Sequence, residues 1–391
     1  MRRFEEPILV TRPYLPDLET FKAGCAEIWR NQWLTNNGPM LRCFHTELAH
    51  YLEVPESNLA LFNNGTLALE MGFKALGLEG AEVITTPFTF VATSHALVRI
   101  GAKPVFADID PETLCLSPAA VEKLIKPGVT KAIVPVHVYG NVCDIEGFNR
   151  LADKYGVKII YDAAHAFGVT RSAIEQSNNR TIASCGDMSM FSFHPTKLFH
   201  SCEGGLLVFK DPALQQKLFD LRNFAIHSET ECVDIGTNAK MNELQALMGL
   251  CCLKKIDELL AYRRSVYDAY AEVFNHPLSN SNSKLKLLPY SANKAYVPML
   301  FRDFETRERV YFGLKEQCNV FARRYFYPLL TDFAPYAYAK GTCPFAEDVA
   351  RRVLTLPTYY GLGADEAKVI AKNVLELVEK NATVLSDFDE E

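Results

Sequence analysis

One lysine in this chain is placed well for covalent chemistry. Lys197 follows the β-type run 188–193 after a proline, and a double glycine at 204–205 leads into a second apolar run. This order predicts a strand, a loop that carries the lysine, and a returning strand. An amine held in a partly dry cavity has a lowered pKa and can attack a carbonyl carbon. The alternative is a solvated lysine in a surface hairpin, which is the commoner environment for lysine.

An acid at the end of another predicted strand gives this lysine a chemical counterpart. The apolar run 157–161 ends at Asp162 and is followed by small residues, as is typical of a buried parallel strand. Ligands of open α/β sheets bind at the carboxyl ends of the strands, so we expect Asp162 and Lys197 to face one cavity. Pyridoxal phosphate requires a Schiff-base lysine and an acid that keeps its pyridine nitrogen protonated. The pair therefore predicts a pyridoxal phosphate site.

Residues after two further strands are candidates for binding this cofactor. A strand at 59–62 precedes a glycine-containing turn, and Gly65 and Thr66 then lead into a helix. Amide groups at such a helix start can face an anion, although Thr66 could be only a helix cap. Phe90 follows the strand 82–87 and could stack on a cofactor ring or belong to the core.

Polar residues near the ends of two neighbouring strands are weaker candidates. His137 ends the predicted strand 131–137 and Tyr139 follows it, so both could lie near the substrate, but loop packing explains them about as well. His165 comes shortly after Asp162 and could contact the cofactor, or be a satisfied histidine in a turn. Arg324 and Tyr325 lie in a run of charged and aromatic residues that we expect near the cleft, where they could contact a nucleotide.

Composition narrows the class of protein. The chain has 391 residues, 48% of them apolar, and a net charge of −6, which offers no general attraction to nucleic acid or to an anionic membrane. No signal peptide or spanning segment is evident, so we expect a cytoplasmic protein. The 11 cysteines lack paired Cys-x-x-Cys spacing and are interpreted as free thiols, and we expect no metal site.

Alternating strands and helices predict an α/β protein with a mostly parallel sheet. We expect an N-terminal arm and substrate loop at 1–40, a large cofactor-binding domain at 41–259 and a small α+β domain at 260–391. A single helix over 243–273 is predicted to cross between the last two. The polar segments 171–181 and 275–286 are predicted to be irregular, and the acidic end 387–391 to be frayed.

The motif set as a whole resembles the DegT/DnrJ/EryC1/StrS family of sugar aminotransferases, from Pro13 to about Lys380. The resemblance implies the type I fold of pyridoxal-phosphate-dependent transferases, the one that aspartate aminotransferase has. It also implies a nucleotide-linked ketosugar substrate, glutamate as amino donor, and a homodimer with composite active sites. The matching motifs are the Gly-Thr turn at 65–66, Asp-Ala-Ala-His-Ala at 162–166, Ser-Phe-His-Pro-Thr-Lys at 192–197, Glu-Gly-Gly at 203–205 and Gly-Thr-Asn-Ala-Lys-Met at 236–241.

The resemblance also implies roles for individual residues. Lys197, Asp162 and His165 would be catalytic, and the cofactor would be held by these three with Gly65, Thr66, Phe90, Ser192 and the neighbouring subunit's equivalent of Asn238. The substrate would be bound by Asn36, Asn37, Gly38, His137, Tyr139, Arg324 and Tyr325. The chain departs from the family at Lys240, where arginine is usual, so any bidentate contact there is in doubt.

The motifs also bear on the position that is aminated. Ser-Phe-His-x-Thr-Lys followed by Glu-Gly-Gly is similar to members that act at carbon 4. Asn-Asn-Gly-Pro at 36–39, Phe-Asn-Asn-Gly-Thr at 62–66 and Asp-Ala-Ala-His-Ala at 162–166 are similar to members that act on dTDP-4-keto-6-deoxy-D-glucose, which implies this substrate. Action at carbon 3, or on a GDP- or UDP-linked sugar, is the alternative. A dehydratase of the same fold would have histidine in place of Lys197, so this lysine argues against it. A non-catalytic sensor on the same scaffold would not need Asp162, Lys197 and the phosphate-binding residues together, so their joint presence argues against that alternative.

Overall fold

The structure is a computed structural model that describes residues 1–169, 181–275, 285–288 and 292–380. The irregular segments predicted at 171–181 and 275–286 and the acidic end at 387–391 lie mostly or wholly outside the described residues. None of the described helices is both long and apolar enough to cross a bilayer.

Helices and strands alternate through the first two thirds of the chain. The described helices are α1 (Leu18–Asn31), α2 (Pro39–Tyr51), α3 (Gly65–Ala75), α4 (Val91–Arg99), α5 (Pro118–Glu122), α6 (Ile145–Tyr155), α7 (Leu214–Leu221), α8 (Glu243–Leu253), α9 (Ile256–Phe274), α10 (Phe304–Cys318), α11 (Pro344–Arg352) and α12 (Ala364–Glu379). The described strands are β1 (Ile8–Leu9), β2 (Leu59–Phe62), β3 (Glu82–Thr85), β4 (Lys103–Phe106), β5 (Thr130–Val134), β6 (Lys158–Asp162), β7 (Met188–Ser192), β8 (Gly205–Phe209), β9 (Ile226–Ser228), β10 (Glu231–Cys232), β11 (Leu285–Leu287), β12 (Val297–Phe301), β13 (Val320–Phe321) and β14 (Val353–Leu356).

A seven-stranded sheet forms the centre of the larger part of the molecule. Its order is β2-β8-β7-β6-β5-β3-β4, and β8 runs antiparallel to both of its neighbours while the remaining pairs are parallel. The mostly parallel sheet predicted from the sequence is therefore confirmed. Because β8 alone is reversed, the carboxyl ends of β2, β3, β5, β6 and β7 meet at one edge, where ligands of such sheets bind.

The strands and their connections explain how this edge is built. β7 and β8 carry apolar side chains towards both faces, as expected for strands covered by helices on each side. The Asn64 side chain caps α3 by accepting a hydrogen bond from the amide of Leu67 at 2.9 Å. A Cβ added at Gly205 would stand 2.3 Å from the carbonyl oxygen of Asn64, so glycine lets the start of β8 approach the turn before α3.

A smaller antiparallel sheet, β11-β12-β14, packs with α9, α10 and α12 around a separate core. This agrees with the small α+β domain predicted at the C-terminus, while the domain boundaries stay a prediction. β1 pairs with β13, so the start of the predicted N-terminal arm packs against the smaller domain.

The helix predicted over 243–273 is two helices, α8 and α9, and the prediction of one continuous helix was wrong. Lys255 has a non-helical backbone, with φ −114° and ψ 6°, and separates them. Apolar side chains of α8 such as Cys252 lie in the core of the large domain, whereas Tyr270 of α9 lies in that of the small one. A change of direction lets each half bury its apolar face against a different core.

Candidate active site

A cavity of about 620 Å³ opens at the carboxyl edge of the central sheet. Its walls come from the start of α3, the start of α4, the end of β6, the loop between β7 and β8, and Arg323, Tyr325 and Phe326 of the small domain. Of the residues predicted from the sequence, Gly65, Thr66, Phe90, Asp162, His165, Ser192, Lys197 and Tyr325 line it. The amine and the acid that were expected to face one cavity do so.

Asp162 is a buried, oriented carboxylate at the end of β6, only 5% exposed. Its Oδ2 accepts a hydrogen bond from the Thr93 hydroxyl at 2.7 Å, and its Oδ1 accepts one from the amide of Ala164 at 3.1 Å. Burial raises the pKa of Asp162, while these hydrogen bonds and the Lys197 ammonium oppose the rise. A carboxylate placed in this way can hold a protonated ring nitrogen.

Thr93 is a site residue that was not predicted from the sequence, although a signal for it was present. Thr93 lies in the first turn of α4, three residues after Phe90, and both residues face the sheet edge. Residues three apart share a face of a helix. Once Phe90 was placed at the site, this spacing could have identified Thr93 as a partner of an acid there.

Lys197 is fixed in the loop after β7 by its backbone amide, which donates to the carbonyl of His194 at 2.9 Å. The pKa of Lys197 is lowered to about 8: burial is the main cause, the Asp162 carboxylate opposes the shift, and the Arg323 guanidinium adds to it. An amine with this pKa is about one tenth neutral at pH 7, against fewer than about one in a thousand for an ordinary lysine. Lys197 is therefore suited to act as a nucleophile and as a proton acceptor.

The start of α3 and the Ser192 hydroxyl form a cradle that fits a phosphate group. A Cβ added at Gly65 would stand 3.1 Å from the Ser192 Cβ and 3.3 Å from its Oγ, so the hydroxyl lies against the first turn of the helix. Amide groups and the positive end of the helix dipole at this turn favour an anion. Gly65, Thr66 and Ser192 line the same cavity as Asp162 and Lys197, as a bound pyridoxal phosphate requires.

His165 is a neutral histidine on the cavity wall. Its Nδ1 accepts a hydrogen bond from the amide of Tyr139 at 3.0 Å, which assigns the ring proton to Nε2. Burial lowers its pKa well below the usual range, and the charges of Lys197 and Arg323 add to this. The Nε2–H group donates a long hydrogen bond, of 3.4 Å, to the Tyr325 hydroxyl at the cavity wall.

Phe90 presents an apolar ring to the cavity. It stands immediately before α4 and is 50% exposed, unlike the core phenylalanines with which the sequence could have grouped it. An exposed ring in a concave site offers a flat surface for another ring.

His137 and Tyr139 lie behind the cavity and do not line it. His137 is fully buried, stacks on Tyr161 with ring centroids 4.8 Å apart, and accepts a hydrogen bond from the amide of Cys143. Burial lowers its pKa to about 3. The Tyr139 hydroxyl donates to the carbonyl of Tyr325. Their prediction as substrate contacts therefore needs correction, because the neighbouring Val136 is the residue that faces the cavity.

Arg324 also points away from the cavity, and Arg323 takes the predicted place. Arg324 Nη1 pairs with Glu308 at 2.9 Å and its guanidinium lies over Tyr311. Arg323 and Tyr325 line the cavity instead. Successive side chains of extended backbone alternate between two faces, so the pair 323 and 325 could have been chosen over 324.

The remaining predicted residues lie outside this cavity within the single chain. Asn36 and Asn37 line a second cavity, of about 300 Å³, with Arg222 and Lys240. Gly38 packs against the Glu243 carboxylate, from which a Cβ at 38 would be 2.5 Å away. Asn238 is exposed, and its backbone forms an isolated antiparallel β-bridge with that of Asn223.

Comparison with known proteins finds one family over nearly the whole chain. The family model described as the DegT/DnrJ/EryC1/StrS aminotransferase family matches residues 17–375. The chain is 41% identical to a dTDP-4-amino-4,6-dideoxy-D-glucose transaminase of Shigella dysenteriae, over 95% of this chain and 100% of that protein. It is 30% identical to a GDP-perosamine synthase of Vibrio cholerae, over 86% of this chain and 90% of that protein.

The fold of this chain is also similar to those of solved structures. DesI, crystallised in the presence of its TDP-sugar product, superposes with a TM-score of 0.87 at 33% identity, covering 97% of this chain and 94% of that one. An NtdA structure from Bacillus subtilis with bound cofactor PMP superposes with a TM-score of 0.84 at 27% identity, covering 93% of this chain and 82% of that one.

Proposed function

Because this chain belongs to the DegT/DnrJ/EryC1/StrS aminotransferase family, we propose that it aminates carbon 4 of a nucleotide-linked 4-keto-6-deoxy sugar. Pyridoxal phosphate is the cofactor of this family, so the family, fold and cofactor predicted from the motifs are confirmed. The observation that carries the proposal is the shared cavity of Lys197, Asp162 and the phosphate cradle, and the 41% identical relative supports the choice of sugar. The proposed substrate is dTDP-4-keto-6-deoxy-D-glucose, and the proposed amino donor is glutamate.

Each residue of the cavity has a proposed task. Bound pyridoxal phosphate supplies a carbonyl that takes up an amino group and a ring that withdraws electrons from the reacting carbon. Lys197 holds the cofactor through its amine, then takes the proton from the α-carbon of the donor and later delivers a proton to carbon 4 of the sugar. Asp162, oriented by Thr93, keeps the proton on the ring nitrogen.

The other cavity residues position the cofactor in this proposal. Gly65, Thr66 and Ser192 bind its phosphate, and Phe90 stacks on its ring. His165 donates a hydrogen bond from Nε2, because its Nδ1 is already engaged by the amide of Tyr139.

We also propose that two chains complete each other's site in a homodimer. Asn238 lies outside the cavity of its own chain and is exposed. The nearby segment 224–235 exposes four large apolar side chains, Phe224, Ile226, Val233 and Ile235, the last of them 83% exposed. A cluster of exposed apolar side chains is typical of a surface that another protein chain covers, so this segment is a candidate for the dimer interface. Asn238 would then reach the phosphate in the partner's cavity.

The lowered pKa of Lys197 has a consequence for cofactor loading. The apoprotein is expected to bind pyridoxal phosphate covalently at a rate that rises with pH and has its midpoint near the Lys197 pKa of about 8. Since the folded pKa is lowered from 10.5, the unfolded chain binds more protons between these values, and this group makes the apoprotein more stable as pH rises through that window. Stopped-flow absorbance of apoprotein mixed with the cofactor from pH 6 to 10 would measure the midpoint. A value near that of free lysine would contradict the burial of this amine.

The reaction itself is tested with defined sugars. Incubation with glutamate and dTDP-4-keto-6-deoxy-D-glucose is expected to give 2-oxoglutarate and a sugar aminated at carbon 4, identified by mass spectrometry and NMR. GDP- and UDP-linked 4-ketosugars and a dTDP-linked 3-ketosugar serve as comparisons, with GDP included because of the GDP-perosamine synthase relative. Preference for the 3-ketosugar, or for another nucleotide, would replace the proposed substrate. No amination of any of them would reject the proposed function.

A further inference from the structure

Glu243, the first residue of α8, is a buried acid that the proposed mechanism does not use. It is 1% exposed, and its two carboxylate oxygens accept hydrogen bonds from consecutive backbone amides, those of Met40 at 2.8 Å and Leu41 at 3.0 Å. Both amides belong to the first turn of α2, and Gly38, which precedes this helix, has no side chain with which to cap it. The Glu243 carboxylate therefore caps a helix that is distant in the sequence.

The same residue also holds the chain on the other side of this turn. The backbone amide of Glu243 donates to the carbonyl of Leu34 at 3.0 Å. Gly38 leaves space for the carboxylate, because a Cβ there would stand 2.5 Å from the Glu243 Cδ. Between these attachments Asn36 and Asn37 are exposed and have left-handed backbone, with φ 61° and 62°. Such backbone is unfavourable for residues other than glycine, so the loop depends on the attachments at its two ends.

The segment that leads into Glu243 has an ordered outward face. Ala239 and Met241 are buried, whereas Asn238 is exposed and Lys240 is half-buried. This alternation is typical of extended backbone, in which successive side chains point to opposite faces. The carbonyl of Ala239 accepts a hydrogen bond of 2.8 Å from the backbone of the turn before α3, which fixes the segment against the large domain.

The loop and this segment meet at the second cavity, of about 300 Å³, which is lined by Asn36, Asn37 and Lys240 among others. Glu243 joins the two from behind. Its backbone continues the segment, and its carboxylate holds the start of the helix that follows the loop. The loop 34–38 and the segment 238–242 therefore form one unit, which Glu243 ties together.

On the basis of the homodimer proposed above, we infer that Glu243 is a positioning residue for the active site of the partner subunit. Within the described residues, neither part of the unit lines the active-site cavity of its own chain. The partner's cavity would receive the loop and the segment together, in the relative position that Glu243 sets. Loss of the carboxylate should therefore affect the site of the other subunit and leave the amine and the acid of its own chain in place.

Substitution of Glu243 is expected to change the affinity for the cofactor. Glu243→Ala should raise the dissociation constant for pyridoxal phosphate about 100-fold, because a displacement of about 1 Å in a positioning element can have an effect of this size. Glu243→Gln keeps the shape and one acceptor oxygen, and should recover about tenfold of the loss. Absorbance titration of the apoprotein with the cofactor measures both constants.

Dimers assembled from two different variants show which subunit Glu243 serves. One chain carries Lys197→Ala and the other Glu243→Ala, and a different affinity tag on each allows the mixed dimer to be isolated. The Glu243→Ala chain then receives an intact unit from its partner and should bind the cofactor with the original affinity. At a cofactor concentration that leaves the Glu243→Ala homodimer mostly empty, borohydride is expected to fix about one cofactor per mixed dimer, on Lys197.

The reverse combination has the opposite expectation. A chain with both substitutions, paired with an unaltered chain, leaves no site that combines Lys197 of one subunit with Glu243 of the other, so little cofactor should be fixed. If Glu243 acted within its own chain, the unaltered chain of this dimer would be labelled and the first mixed dimer would not. That result would overturn the inference.

Asp108 provides a matched control for the loss of a helix cap. Its carboxylate accepts hydrogen bonds from the amides of Phe345 and Ala346, both at 2.9 Å, in the first turn of α11, and it lines a different cavity. Asp108→Ala should lower the melting temperature, as Glu243→Ala does, but leave the cofactor dissociation constant near its original value. An equal loss of affinity in both variants would show that general destabilisation causes it, and the inference would fail.

A further mixed dimer separates this inference from the homodimer on which it rests. Lys197→Ala paired with Asn238→Ala tests whether Asn238 serves the partner. Recovery of cofactor binding in this dimer, but not in the one with Glu243→Ala, would support the composite site and overturn the role of Glu243. Recovery in neither, or a chain that is monomeric in solution, would overturn both. None of these measurements uses a sugar, so they test Glu243 even if the proposed substrate is wrong.

Discussion

Lys197→Ala is expected to lower the rate of amino transfer by about 10⁴-fold or more. The substitution removes both the covalent anchor of the cofactor and the group that moves the proton between donor and sugar, and each of these contributions is large. The phosphate cradle formed by Gly65, Thr66 and Ser192 does not depend on the amine, so the variant should still bind pyridoxal phosphate, with the absorbance of a free aldehyde. Single-turnover assays with glutamate and the ketosugar measure the loss.

A lysine outside the cavity controls for the loss of an amine. Lys154 is paired with Glu122 on the surface, and Lys154→Ala should transfer amino groups at the original rate. Amino transfer by Lys197→Ala within tenfold of the original rate would mean that another group moves the proton, and the assignment of Lys197 would have to be abandoned.

Asp162→Asn is expected to lower kcat by about 10³-fold. The amide cannot stabilise a proton on the ring nitrogen, and removal of one preorganised electrostatic partner from a water-excluded active site typically lowers kcat by about 10²- to 10³-fold. The substitution keeps the shape of the side chain and an oxygen that can accept the Thr93 hydrogen bond, so the protein should remain folded. Steady-state assays and the absorbance spectrum of the loaded variant would measure the effect.

Thr93→Val gives a graded comparison for the same site. It removes one hydrogen bond to the carboxylate but leaves the charge, and a loss of about tenfold is expected. If Asp162→Asn lost less activity than Thr93→Val, the carboxylate would not be acting through its charge on the ring.

The arrangement of the central pair was predictable because strand ends can be identified from the sequence. Asp162 ends an apolar run and Lys197 follows another, and the parallel sheet brings such ends to one edge. Alternation of strands and helices was enough to predict that sheet. These two placements depend only on where strands stop, which apolar patterns show well.

Side-chain direction at the ends of strands was harder to predict. His137 and Arg324 were chosen by residue type, yet each lies one position from the residue that faces the cavity, Val136 and Arg323 respectively. A shift of one residue in extended backbone reverses the face. Neither run is a regular strand at these positions, so the phase of the alternation was not fixed by sequence alone.

Contacts between elements that are distant in the sequence were also hard to predict. Thr93 lies on α4 and binds an acid on β6, and the break between α8 and α9 follows from two cores that the chain assembles only when folded. The 90/93 spacing indicates the face on which Thr93 lies once Phe90 is placed at the site, but no local pattern indicates that the helix must break between α8 and α9. The roles of Asn36, Asn37 and Asn238 stay predictions, because they lie outside the cavity of their own chain.

Borohydride reduction of the holoenzyme, followed by peptide mass spectrometry, tests the central assignment most directly. Reduction fixes any cofactor that is covalently attached to an amine, and digestion then locates it. We expect the added mass on the peptide that contains Lys197, and none on that peptide when Lys197 is replaced with alanine. Attachment at a different lysine, or a holoenzyme that reduction leaves unlabelled, would contradict the account.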